Sequence, residues 1–107
     1  MVFVIKFTER FEKKFLKIIP LGLQEQAWAR IRNLAINPFV GKPLKYDFIR
    51  ELKLGKFRIY YVIFEKEIII LLTDVSDKKH QQETIDLIYS QRELLRKYIK
   101  NLKEKIL

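Results

Sequence analysis

Six cationic side chains fall in two short stretches of the chain: Lys53, Lys56 and Arg58, then Lys78, Lys79 and His80. Grouped cations with one imidazole suit a particular reaction. RNA is cut without a metal when its own 2′-hydroxyl attacks the adjacent phosphorus. Such a site must deprotonate that hydroxyl, stabilise the charge of the phosphorane and protonate the leaving oxygen. Cations held against the phosphate meet the second need. A lysine whose pKa is lowered by cationic neighbours, or a histidine, meets the first. Arg58 offers a planar fork to a phosphate, and it interrupts a run of Phe57, Ile59, Tyr60 and Tyr61, so it projects from a structured face. Aromatics interleaved with cations also suit base stacking. Strand parity turns Tyr61 to the core and leaves Tyr60 for stacking, with Lys56 and Lys79 as further RNA contacts. Taken singly, each lysine is equally a solvated surface residue, and His80 equally a turn or helix-cap residue.

Other chemistries are poorly supplied. The chain has no cysteine, which removes disulfides, cysteine-ligated zinc and thiol nucleophiles together. A single histidine gives no pair for a metal. There is no phosphate-binding glycine loop and no serine elbow. The carboxylate pairs Glu9 with Glu12 and Glu65 with Glu67 sit at element ends beside lysines, where solvation explains them. No metal and no cofactor are expected. Lysine and arginine total 22 against 13 acids, a net charge of +9. That excess points to a polyanionic partner, either nucleic acid or an acidic protein, although lysine-rich surfaces also arise in hosts of high growth temperature. The 107 residues suit one domain, 1–107. No apolar run approaches the roughly 20 residues of a membrane span, and the apolar start is too short for a signal peptide. The expectation is a cytoplasmic protein with no membrane partner.

The elements that must hold these cations are legible from periodicity. Val2 to Phe7 reads as a strand. Thr8 then caps a helix carrying Phe11, Phe15 and Ile18 up to Pro20. A second helix carries Leu23, Ala27, Ile31 and Leu34 and ends at Asn37, because a residue before proline is pushed out of the helical region. Phe39 to Asp47 reads as a loop. Strands over Phe48–Leu54, Phe57–Phe64 and Ile68–Thr73, joined at Gly55-Lys56 and Glu65-Lys66-Glu67, form an antiparallel meander. Ile59, Tyr61 and Ile63 share one face of its middle strand, and Arg58, Tyr60 and Val62 the other. From Gln81 to Leu107 neither glycine nor proline occurs, so one long helix is expected. Ile85, Ile88, Leu95, Ile99, Leu102 and Ile106 make a heptad seam on it, with Arg92 in the one gap. The seam packs on the sheet, on a partner or on its own copy, and a helix-mediated homodimer or a helix-bound partner is predicted. The architecture is α+β, in the order β-α-α-β-β-β-α: a helical hairpin on a mostly antiparallel four-stranded sheet, with the opposite sheet face free for function.

The run Arg50-Glu51-Leu52-Lys53-Leu54-Gly55-Lys56-Phe57-Arg58-Ile59-Tyr60-Tyr61, followed by Ile68-Ile69-Ile70-Leu71-Leu72, resembles the RelE/ParE toxin superfamily. That superfamily shares a Glu-Leu-Arg/Lys strand, a Gly-x-x-Arg-Ile-x-Tyr strand and a hydrophobic strand ending in basic residues. Asp77-Lys78-Lys79-His80-Gln81 is similar to the stretch leading into the last helix of the RelE/HigB-like branch. The resemblance spans roughly residues 2 to 95. It implies a type II toxin with an acidic antitoxin encoded beside it. RelE-like members cut mRNA in the ribosomal decoding site; ParE-like members poison DNA gyrase. By position, Lys53 and Arg58 match two cleavage residues of RelE-like toxins and Lys78 a third, with Lys79 one residue away. Two positions depart. Glu51 stands where some RelE toxins have lysine, and Thr84 falls near the place of their C-terminal tyrosine, leaving His80 as a substitute. The leading expectation is a metal-independent, ribosome-dependent mRNA endonuclease. The alternatives are a non-catalytic gyrase inhibitor and a non-toxic binding or assembly module of the same fold.

Overall fold

The computed structural model describes residues 2–97 and residue 100. Strand β1, Val4–Phe7, runs into helix α1, Glu9–Ile18, through Thr8. The Thr8 hydroxyl accepts the Phe11 backbone N–H at 3.0 Å, and Glu9 and Glu12 lie in the first turn, where the helix dipole favours acids. Pro20 separates α1 from α2, Leu21–Asn33. The rest of the chain forms β2, Lys42–Pro43; β3, Ile49–Leu54; β4, Phe57–Phe64; β5, Ile69–Asp77; a 3-10 turn, Lys78–His80; and α3, Gln81–Ser90. The sheet has five strands in the order β1-β5-β4-β3-β2, with β1 parallel to β5 and every other pairing antiparallel.

The α+β architecture is as expected, but the sheet has one strand more. The extra strand, β2, lies inside the expected loop. It is an edge strand of two residues, where a proline costs no ladder bond. Strand β5 is also longer than expected and reaches Asp77. Its register explains why: Tyr60 faces Asp74 whereas Tyr61 faces Leu72, so Thr73 is an extra residue at a bulge. Beyond the bulge Asp74, Val75, Ser76 and Asp77 stay paired to β4, although their polarity reads as loop. At the other end of β5, Ile68 is not yet strand; it sits in the turn at φ 59°.

The middle-strand parity holds. Ile59, Tyr61 and Ile63 pack with Phe11, Phe15, Ile19, Ala27, Ile31 and Leu34 from the two helices. Tyr60, Val62 and Phe64 face the other way, and there the expectation of an open face is corrected. Ile88, Ile85, Tyr89 and Leu95 cover that half of the sheet together with Leu44 and Tyr46. The expected single long helix is corrected too. Helix α3 ends at Ser90, Gln91 breaks the run, and residues 92–97 resume it. The first part of the seam is therefore spent on the chain's own sheet. Ile99, Leu102 and Ile106 lie outside the described residues. Arg92, the gap in the seam, lays its guanidinium 4.8 Å from the Tyr46 ring centre and 5.1 Å from that of Phe48, a cation–π contact that suits an arginine among apolar residues.

Candidate nucleic-acid interface

Near the Gly55-Lys56 turn, exposed Lys53 and Lys56 lie beside buried Arg58. There Lys53 and Arg58 are direct cross-strand partners, which puts both side chains on one face. The backbone N–H of Lys78 donates to the Lys56 carbonyl at 2.8 Å, so the 3-10 turn carrying Lys78, Lys79 and His80 is fixed beside the β3–β4 turn. Lys53, Lys56, Lys78 and Lys79 are exposed. A depression of about 410 Å³ opens at the sheet edge and is lined by Arg30, Lys42, Glu51, Lys53, Arg58 and Gln81, among others. Arg30 reaches it from α2 and donates to the Lys53 carbonyl.

Arg30, Lys42 and Gln81 are site residues that periodicity does not find. No local pattern marks them, because they reach the site only through the tertiary fold. Lys42 depends on a stapled loop. The Tyr61 hydroxyl donates to the Pro38 carbonyl at 2.7 Å and accepts the Gly41 N–H at 3.0 Å. The Arg50 guanidinium donates to the carbonyls of Phe39 and Gly41, both at 2.8 Å, and to the Asp47 carboxylate at 2.6 Å.

Arg58 is only 6% exposed. Its guanidinium donates to the Gly55 and Phe57 carbonyls at 2.9 and 3.0 Å, and its Nε lies 4.0 Å from Glu51 Oε1. Glu51 is 5% exposed, and both its carboxylate oxygens accept from Gln81 Nε2 at 3.0 Å. A buried carboxylate needs such partners, since desolvating an unpaired charge is costly.

Tyr60 requires a correction. Its ring is fully buried and offers no face to a base. Its hydroxyl shares a 2.9 Å hydrogen bond with Ser76, and burial pushes its pKa up to about 12.

His80 stands apart from the strand cations. Its Nδ1 and its backbone N–H both meet Asp77 Oδ1, at 2.7 and 2.9 Å. The side-chain bond first, then the backbone bond, hold the Asp77 carboxyl below the usual carboxylate range. The imidazole lines a depression of about 230 Å³ with Lys14, Lys17, Asp77 and Thr84, and a second of about 440 Å³ whose walls include Arg10, Glu83 and Asp86. Neither contains Lys53 or Arg58. The strand pair and the imidazole therefore belong to different depressions.

Residues 5–82 match the family model for the ParE toxin of type II toxin–antitoxin systems, parDE. A search of curated proteins gives no match. Among solved structures, the chain is similar to a mutant Escherichia coli RelE toxin in the free state, with 17% identity, a TM-score of 0.67, and 77% of this chain and 90% of that one covered. The RelBE2 toxin–antitoxin complex of Mycobacterium tuberculosis matches at 20% identity and TM-score 0.63, over 72% of this chain and 99% of that chain. The RelB–RelE complex of Methanococcus jannaschii matches at 19% identity and TM-score 0.59, over 74% of this chain and 96% of that chain. At these identities the structural likeness speaks for the fold. The family model covers most of the sequence, and by that match the chain belongs to the ParE toxin family of type II toxin–antitoxin systems, within the RelE/ParE superfamily.

Proposed function

We propose that this toxin is a metal-independent endoribonuclease that cuts mRNA on the ribosome. One observation carries the reading: Lys53 and Arg58 face each other across two strands, and Arg30 and Lys42 ring the same depression. In the proposed reaction the 2′-oxygen forms a bond to phosphorus and the bond from phosphorus to the 5′-oxygen breaks. The products are a 2′,3′-cyclic phosphate and a 5′-hydroxyl. Arg58 stabilises the phosphorane charge. Lys53, exposed beside it, holds the phosphate and accepts the 2′-hydroxyl proton. Lys78 returns a proton to the leaving oxygen, and Lys56 and Lys79 contact the RNA backbone. His80, oriented by Asp77, is the alternative acid–base group; the separate depressions favour Lys53 over it as the base.

The partners follow from charge. A net +9 suits an acidic antitoxin as well as mRNA and the ribosome. Among the described residues no helix is long and apolar enough to cross a membrane, and the proposed setting is the cytoplasm. A homodimer through the C-terminal helix would rest on the seam past Leu95.

A second reading, a non-catalytic inhibitor of DNA gyrase, is favoured by the ParE family match and by the pairing of Arg58 with Glu51. Induced expression followed by primer extension on a cellular mRNA separates the two. Cuts within translated regions are expected; intact mRNA with broken DNA would give the second reading instead.

A further inference from the structure

We propose that Glu51 and Gln81 form a latch that keeps Arg58 out of reach, and that an RNA phosphate binds by displacing Glu51 from Arg58. The inference rests on the RNA-cleaving reading of the same depression. Arg58 is turned inward and almost inaccessible, while its cross-strand partner Lys53 is exposed. A ligand therefore meets Lys53, Lys42 and Arg30 before it meets Arg58. The Glu51 carboxylate occupies the side of Arg58 that a phosphate would take. Its hold is loose: 4.0 Å from Nε is an ion pair without a hydrogen bond. Its firmer bonds run to Gln81, the first residue of α3. An RNA phosphodiester matches a carboxylate in charge and in free oxygens, so it can take the place of Glu51 at the guanidinium, and Lys53, Lys42 and Arg30 around the same depression add to its hold. Because Gln81 begins the helix whose Ile88 covers the same sheet face, freeing Glu51 also loosens the start of α3.

The latch makes a definite thermodynamic demand. When only a fraction of molecules presents Arg58, the apparent affinity falls by that fraction, and a minor state commonly holds about 10% of molecules or fewer. Removing the competing carboxylate should then tighten RNA binding about tenfold or more.

The test is fluorescence anisotropy with a labelled, 2′-O-methylated RNA decamer, which binds without being cut. Wild type, Glu51→Gln, Gln81→Ala, Lys53→Ala and the double variant Glu51→Gln/Arg58→Ala are compared after circular dichroism shows each folded. Glu51→Gln is expected to bind about tenfold tighter, with Gln81→Ala shifting the same way. The gain should vanish in the double variant, because it acts through Arg58. Folded Glu51→Gln and Gln81→Ala that bind no tighter than wild type would overturn the latch, as would a gain that persists without Arg58. If Lys53→Ala leaves binding unchanged, the RNA reading of the depression itself fails. If Lys53→Ala weakens binding while Glu51→Gln leaves it unchanged, only the latch fails.

Discussion

Arg58 and Tyr60 show how a side chain's neighbours decide its work. Arg58→Ala leaves Glu51 buried beside Gln81 without its cation. Removing one partner of a buried ion pair costs about 3 kcal/mol or more. The single variant should thus unfold at lower urea, and Glu51→Gln added to it should restore most of the loss without restoring cleavage. Equal stability of wild type and Arg58→Ala would show that the pair carries no stability. Tyr60 makes a second prediction, in alkali. Its folded pKa of about 12 lies above the ordinary phenol value of 10.0, so the fold favours the neutral phenol. That contribution is complete below pH 10 and is lost as pH rises toward about 12. Urea midpoints should fall across this window, and Tyr60→Phe should flatten the fall; an unchanged slope would contradict the assignment. The pairing of Lys53 with Arg58 was legible in the sequence, because two strands and a two-residue turn fix parity. The burial of Tyr60 was not. Parity assigns it to the second face, and only tertiary structure reveals that Ser76 and the neighbouring strands enclose it.

At the scale of elements, the stapled loop between α2 and β3 determines whether Lys42 reaches the site. A Cβ at Gly41 would lie 2.5 Å from the Tyr61 hydroxyl and 2.8 Å from the Glu51 carbonyl. The second neighbour is backbone and has little room to give. Gly41→Ala should therefore destabilise the fold by about 1–3 kcal/mol, as overpacking does. It should also weaken RNA binding by moving Lys42 from the rim. Denaturant unfolding and anisotropy check both, and wild-type values in each would mean the loop is not held here. The helical hairpin and the meander were legible because apolar residues recur at helical and strand periods. Strand β2 and the end of β5 were not: Lys42-Pro43 is too short for a period, and Asp74, Ser76 and Asp77 are polar residues held in register by β4. The break at Gln91 escaped for a related reason. Helix formers dominate from Gln81 onward, and the sheet face that α3 covers is not a local property.

The whole molecule puts its two helices α1 and α2 on one sheet face and α3 on half of the other, so the exposed cations at the rim of that second face, Lys53 and Lys42 among them, are the natural place for a polyanion to meet a chain of net charge +9. The family match makes the chain a toxin of a type II system. The cross-strand cations are what favour RNA. The most direct test is therefore the folded Lys53→Ala/Arg58→Ala variant, expressed from an inducible promoter, with growth and primer extension on a translated mRNA followed together. Losing one preorganised donor to the phosphorane costs about 10²–10³ in rate. The double variant should thus stop neither growth nor mRNA integrity, while wild type cuts within translated codons. Undiminished cutting by the folded double variant would contradict the assignment of this face as the site of cleavage.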